Sequence, residues 1–303
     1  MCSSSASRRR RPSGARSRIA HIVIVVAIAS RVVASSASRA QRAWKTVDAG
    51  AFQQRPCTVP KIDARDTSLE HFMRTFAASE TPVVITGLFA HRSAFREATT
   101  RERMLQDYGD VRVTLSTANT FSYEKVVKSL REYIEEDVVK VPTSGQRANE
   151  TLYWFGDHID SEGRNPWSKL FAKYATLKLV PADADVAYSF GIGGPMSGVP
   201  LHVHGPGWSE TIIGRKHWFL APPTPAPDFH PNVTAFQWAS ERLRRGRFHN
   251  DDAPEEMLEC TVTSGEAIYF PNNWWHATLN LDESVFISSF VNYAREGAEK
   301  TEL

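Results

Sequence analysis

Three histidines in this chain are spaced in a way that can do chemistry. His202 and His204 flank Val203 in a Gly/Pro-rich stretch, and His276 ends a Trp-Trp-His run 72 residues after His204. Side chains two apart on a strand leave the same face, so the first pair would present two imidazoles side by side. A third, from a distant strand, reaches them only if the sheet curls back on itself. A curled sheet with a few nitrogen ligands on one side and open positions opposite is how a β-barrel builds a mononuclear metal centre. A lone histidine on a barrel strand is ordinarily structural, and spacing alone leaves both roles open.

The elements that must position these residues are legible as short runs. Before residue 150 the pattern is mixed. Thr67-Ser68-Leu69-Glu70 reads as a capping box, and Leu69, Phe72, Met73 and Phe76 repeat at helical spacing, which predicts a helix over 68–79. Pro82 to Gly87 reads as a buried strand, and Thr99 to Tyr108 as a second helix capped by Thr99, with Glu102 three residues on. Val111, Val113 and Leu115 alternate as in a strand. Ser122 to Glu136 reads as an amphipathic helix and 140–150 as a loop. From Thr151 onward short strand-like runs follow one another: 153–155, 187–190, 201–204, 210–213, 217–221, 259–263, 267–270, 277–279 and 285–291. A polar insert over 224–256 interrupts them, with one expected helix near 233–245. That many short strands with Gly/Pro punctuation predict a mainly β domain with flanking helices, an α+β chain built on a barrel or sandwich.

Composition narrows the function classes. The chain has 303 residues and 42% hydrophobic content, enough for a sizeable core. Its 36 basic residues slightly outnumber its 34 acidic ones, yet the first 47 residues hold nine Arg and one Lys and no acid. The remainder therefore carries 26 basic against 34 acidic residues. It is acidic, without the basic stripe that DNA binding needs, so no nucleic-acid partner is expected.

Both ends carry targeting signals. Arg8 to Arg18 is a basic region, Ile19 to Ala29 an apolar one too short for a comfortable span, and small residues follow up to Ala37. This predicts a signal peptide over 1–37 with no stable membrane span after cleavage. An uncleaved anchor and a mitochondrial transit peptide are the alternatives. The chain ends Lys300-Thr301-Glu302-Leu303, one residue from the Lys-Asp-Glu-Leu retrieval signal. Glycosylation sequons start at Asn149 and Asn232. Together these predict a resident of the endoplasmic reticulum lumen. Its domain would cover 60–293, with a loose linker over 38–59, a flexible tail over 294–303, and a lumenal protein as substrate or partner. Cys2 falls in the segment to be removed. Cys57 and Cys260 remain, either as a disulfide or as two separate buried thiols. The absence of a CxxC pair argues against thiol-redox catalysis and against a zinc ribbon.

Several longer strings resemble one family. These are Pro82 to Leu88 (PVVITGL), Gly198 to His204 (GVPLHVH), Gly214 to Pro223 (GRKHWFLAPP), and Gly265 to Pro271 (GEAIYFP) with Trp274-Trp275-His276. They are similar to the JmjC/cupin-type 2-oxoglutarate oxygenases over about residues 60–292. The resemblance implies a double-stranded β-helix, an Fe(II) ion held by His202, His204 and His276, and 2-oxoglutarate as cosubstrate. The family's pattern is His-x-Asp/Glu…His, and here His204 replaces the carboxylate, which removes one negative charge from the site. The resemblance also implies Lys216 as partner of the distal carboxylate of 2-oxoglutarate, with Tyr188 and Thr211 as further hydrogen-bond donors. Strand alternation allows the opposite reading, with Lys216 outward and Arg215 or His217 inward. Trp274 and Trp275 are expected as walls, one packed in the core and one shielding the metal. His230, His249 and the cluster Arg242, Arg244, Arg245 and Arg247 read as surface residues. The functions in view are hydroxylation of a lumenal protein side chain, protein binding by a catalytically weak relative, and three-His dioxygenase chemistry without 2-oxoglutarate.

Overall fold

Twelve strands form among the described residues of the computed structural model, which are 43–88, 93–118, 124–142, 150–156, 164–244 and 257–292. In chain order they are β1 Lys61–Asp63, β2 Val83–Thr86, β3 Arg112–Thr117, β4 Lys125–Ser129, β5 Leu152–Phe155 and β6 Asp185–Gly193. There follow β7 Gly207–Ile213, β8 Arg215–Ala221, β9 Leu258–Thr263, β10 Glu266–Phe270, β11 Trp275–Asn280 and β12 Ser284–Asn292. One sheet runs β1-β2-β10-β7-β12-β6-β5-β3-β4 and the other β11-β8-β9. β7 and β8 lie in different sheets and are joined by Gly214 alone, at φ 87°, a turn that needs a residue without Cβ. Val84, Ile268 and Phe270 of the large sheet pack with Trp218, Leu220 and Val262 of the small one. This is the two-sheet jelly roll expected of a double-stranded β-helix, with the core between the sheets.

Three local expectations are corrected. The stretch expected as one helix over 122–136 divides, and its residues 122 and 123 lie outside the described ones. Residues 125–129 pair with β3 as strand β4, and helix begins only at Leu130, where Ser129 and Glu132 form a reciprocal capping box. The two adjacent β-branched residues Val126 and Val127 suit the strand, and the cap sets the boundary. The first helix, Leu69–Phe72 continued by a wide turn over Met73–Ala77, is capped by Ser68, whose Oγ accepts from His71 N at 3.1 Å. Thr67 instead donates to the Asp63 carbonyl at 2.8 Å. The second helix, Arg101–Tyr108, starts after Thr100, and the hydroxyls of Thr99 and Thr100 bond back to Arg96 and Glu97 carbonyls instead of capping.

The expected linker is part of the fold from Trp44 onward. Lys45 N and Val47 N donate to the carboxylates of Glu283 and Asp282 at 3.0 Å each. Arg215 forks onto Asp282 at 2.8 Å and reaches the Val47 carbonyl at 2.9 Å. Phe52 is buried. Arg55 pairs with Glu259, and Cys57 is disulfide-bonded to Cys260 on β9. Charged termini of hydrogen bonds that would be costly to bury alone satisfy one another here. The insert carries the expected helix as Ala235–Arg244. Among the described residues no helix is long and apolar enough to cross a membrane. The proposed signal peptide 1–37, the tail 294–303, Asn149, Arg245, Arg247 and His249 lie outside the described residues.

Candidate metal centre

His202, His204 and His276 converge: one ring nitrogen from each lies within 4.8 Å of the others. The local reason differs from the expectation. Residues 201–204 are not a regular strand. They belong to an extended segment that runs antiparallel along the free edge of β11, through Met196 N to Asn280 O (2.7 Å), Asn280 N to Ser197 O (2.8 Å), and Thr278 N to Val199 O (2.9 Å). Pro200 has no N–H to continue the ladder, so pairing resumes as one bridge, in which His202 and His276 exchange both backbone bonds at 3.0 Å. Gly198 permits the approach: a Cβ there would stand 1.8 Å from the Thr278 carbonyl oxygen. Asn273 N then donates to His204 O at 3.1 Å. The backbone thus carries the two histidines past the start of β11.

Each imidazole is oriented from behind. His202 Nδ1 lies 2.8 Å from the Pro200 carbonyl, His204 Nδ1 2.8 Å from the Gly205 carbonyl, and His276 Nδ1 2.8 Å from the Trp274 carbonyl. A carbonyl only accepts, so each Nδ1 carries the hydrogen and each Nε2 offers a lone pair. His204 and His276 bring their Nε2 atoms to 3.1 Å. Two nitrogens bound at right angles, each about 2.1 Å from one ion, would lie about 3 Å apart. Burial lowers the pKa of His202 to about 4 and that of His276 well below its usual value, helped by the neighbouring imidazoles, and burial lowers His204 as well. All three are neutral near pH 7, the form that ligates. Geometry, tautomer and charge state therefore fit a divalent ion.

The cavity around these nitrogens lies between the sheets and measures about 20 Å³. Trp218 stacks beside His276 at 5.7 Å and Phe270 at 5.0 Å between ring centroids. Phe155, Phe286 and Phe290 complete an aromatic wall, and Ser209 and Ser288 bond each other within it at 3.0 Å. Lys216 faces inward. In the β8–β11 register Asn280, Thr278 and His276 lie opposite Lys216, Trp218 and Leu220, so these six share one face. Arg215 and His217 take the other face, His217 in a buried network with Thr261 (2.8 Å) and Glu259 (3.2 Å). Burial pushes the Glu259 carboxyl up, but hydrogen bonds from His217 and Arg55 outweigh it and hold the group below its usual range. Lys216 is 3% exposed, and its Nζ donates to the Tyr153 hydroxyl at 3.0 Å. Among the described residues no acid lines the cavity, and burial pushes the Lys216 amine well below its usual pKa.

Two expected donors stand elsewhere. Tyr188 turns to the outer side of β6, where its hydroxyl pairs with that of Thr176 and its ring packs on Tyr174 and Phe171. Thr211 is buried but does not line the cavity. Its register partner is Phe286, whose ring takes that wall. The walls also differ from expectation. Trp275 packs on Phe229 at 5.2 Å, and Trp274 borders the cluster between the sheets. The metal-facing tryptophan is Trp218. Arg242 is half-buried over Trp238 at 4.9 Å, not a solvated charge, while His230 and Asn232 are exposed. Tyr153, Phe286 and Asn280 were not anticipated. For Asn280 a signal existed, because it lies four residues after His276 and so shares its face.

A jelly roll holding a three-nitrogen cluster and a buried lysine between its sheets is the architecture of the cupin class. A family model described as a cupin-like domain matches residues 69–295, and the chain belongs to the cupin-like family, in its JmjC branch. It is 42% identical to human JmjC domain-containing protein 8 over 267 residues, covering 88% of this chain and 96% of that protein. It is 25% identical to the bifunctional arginine demethylase and lysyl-hydroxylase psr-1 of Caenorhabditis elegans over 256 residues, 76% of this chain and 60% of that one. It is also 25% identical to the human 2-oxoglutarate and iron-dependent oxygenase JMJD4 over 229 residues, 74% of this chain and 49% of that one.

Proposed function

We propose that this chain is an Fe(II)- and 2-oxoglutarate-dependent oxygenase that hydroxylates a protein side chain in the lumen of the endoplasmic reticulum. One observation carries the reading: three oriented, neutral imidazoles share a cavity with a buried lysine that has no acidic partner there among the described residues. A divalent ion and that lysine together call for an anion. A dicarboxylate would answer both, one end at the ion and the other at Lys216.

His202, His204 and His276 would hold the ion through Nε2. Lys216 Nζ and the Tyr153 hydroxyl would hold the far carboxylate. Trp218 and Phe270 exclude water beside His276. Bound iron and 2-oxoglutarate supply dioxygen activation, which no side chain of the cavity offers. Three imidazoles bring no negative charge, so the ion keeps its full charge and binds an anionic ligand more strongly than a carboxylate-bearing triad would.

A second reading, a metal-binding relative that acts through protein contacts, is favoured by the missing carboxylate at position 204. One assay separates the two. Purified protein is loaded anaerobically with Fe(II), its iron content measured, and conversion of 2-oxoglutarate to succinate followed on adding oxygen. About one iron per chain with iron-dependent succinate supports the oxygenase. Iron without 2-oxoglutarate binding or turnover leaves the binding protein, and no iron overturns both. The lumenal location is supported by the apolar segment after the basic amino terminus, by the retrieval-like tail, by exposed Asn232 and by the Cys57–Cys260 disulfide. Deleting Lys300 to Leu303 should release glycosidase-sensitive protein to the medium. Retention of a glycosidase-resistant form would revive the mitochondrial alternative.

A further inference from the structure

We propose that Phe286 is the specificity-determining gate of the acid site: its ring occupies the ground that a carboxylate must take beside Lys216. This rests on the 2-oxoglutarate reading above. The centroid of the Phe286 ring lies 3.3 Å from Lys216 Nζ. A carboxylate oxygen bonding that ammonium would stand about 2.7–2.9 Å away, and on this side the ring is already there. The other contact of Nζ is the Tyr153 hydroxyl, and the Tyr153 ring stacks on Phe286 at 5.9 Å and 17°. Aromatic rings thus cover the lysine on the Phe286 and Tyr153 sides, and on the remaining side it lines the small cavity of about 20 Å³ that it shares with the three histidines.

The ring is held there by the backbone. β7 and β12 change register between Val285 and Phe286, so that Val285 pairs with Ile213 and Phe286 with Thr211, leaving Ile212 as a bulge. On its other side β12 pairs Phe286 with Gly191 of β6. A Cβ at Gly191 would come within 2.5 Å of the tip of the Phe286 ring, so the glycine forms the recess in which the ring lies. Bulges re-aim side chains, and this one is coupled to a notch that fits the side chain it aims. An acid that meets Lys216 on the Phe286 side must turn the ring out of that notch. A shorter 2-oxo acid, bound at the ion alone, need not.

The test measures ligand binding and not turnover. Wild type, Phe286→Leu, Phe286→Ala and Lys216→Met are loaded with Mn(II), which is redox-inert under these conditions, and titrated calorimetrically with 2-oxoglutarate and with pyruvate. Thermal melting confirms that each is folded, and the leucine variant serves if the alanine variant is not. The expected result is 2-oxoglutarate binding at least tenfold tighter in the Phe286 variants than in wild type (about 1.4 kcal/mol). Pyruvate affinity should be unchanged, and Lys216→Met should lose the advantage of 2-oxoglutarate over pyruvate. If 2-oxoglutarate binds wild type and the Phe286 variants equally but not Lys216→Met, the gate is wrong and the oxygenase reading stands. Equal gains for pyruvate and 2-oxoglutarate would mean a loosened cavity and also overturn the gate. If no folded variant binds 2-oxoglutarate, the oxygenase reading itself fails.

Discussion

Replacing Lys216 with methionine should make the metal-free protein more stable while removing its dicarboxylate site. The side chain is buried, and among the described residues no acid lines its cavity. Giving up the proton of a lysine with the ordinary pKa of 10.5 costs about 5 kcal/mol at pH 7, at about 1.4 kcal/mol per unit. That is a ceiling on what burial of this side chain can cost there, because keeping the proton is the alternative only when cheaper. Against it stands the hydrogen bond to Tyr153, about 1 kcal/mol; an amine that has given up its proton draws no cation–π attraction from the aromatic faces. Methionine fills a similar volume with apolar atoms and has nothing to desolvate. A net gain of up to about 4 kcal/mol follows, or a rise in Tm of up to roughly 8–16 °C for a domain of this size. The pH dependence supplies the sign. The folded-state pKa lies below the unfolded one, so between the two the unfolded chain binds more protons and wild-type stability rises with pH. The advantage of Lys216→Met should shrink as pH goes from 7 to 10. Differential scanning calorimetry of both metal-free proteins at pH 7, 8.5 and 10 reads this directly. A lower Tm for Lys216→Met at pH 7, or a difference that does not narrow with pH, would refute the account of Lys216 as a buried amine whose charged form awaits an anion.

Other expectations follow from the same geometry. His204→Ala should weaken Mn(II) or Co(II) binding by more than about 100-fold, beyond the loss typical of an orienting partner, and an isothermal titration indistinguishable from wild type would remove His204 from the ligand set. Metal-free wild type should lose stability to urea as pH falls from about 6.5 towards 4, because His202, with a folded pKa of about 4, stays neutral while the unfolded chain takes up a proton, and the lowered pKa values of His204 and His276 act in the same direction. The slope should reach about 1.4 kcal/mol per unit per histidine, and His202→Ala should flatten it. The Cys57→Ser/Cys260→Ser double variant should lose up to about 5 kcal/mol, the entropic ceiling for a closed loop of this length. Because Arg55, Thr58 and Glu259 still tether the segment, metal binding should persist in it, and loss of the metal site along with the disulfide would show that the tether positions the histidines.

The alternation of the later half of the chain determined its strands and hence the jelly roll. It also determined that Lys216, Trp218 and Leu220 share a face, though not which way that face turns. The two remaining cysteines limited any disulfide to one pairing, and the three histidines were visible as candidate ligands, with the structural role left open by spacing alone. These properties are local or combinatorial: period, parity and count belong to the chain itself. What tertiary structure decided is everything that depends on register. It made Lys125–Ser129 a strand, because β3 offered an edge, where the local pattern reads as helix. It bound the supposed linker to Asp282, Glu283 and β9 through partners more than 200 residues away, which no window of sequence contains. It carried His202 and His204 into place on an edge segment and not a strand, through the close approach that Gly198 allows. It chose Tyr153 over Tyr188 and set Thr211 behind Phe286. Parity tells which residues share a face, but the bulge at Ile212 and the notch at Gly191 determine which of them meets the cavity, because a shift of one residue in pairing re-aims a side chain without changing a letter of the sequence.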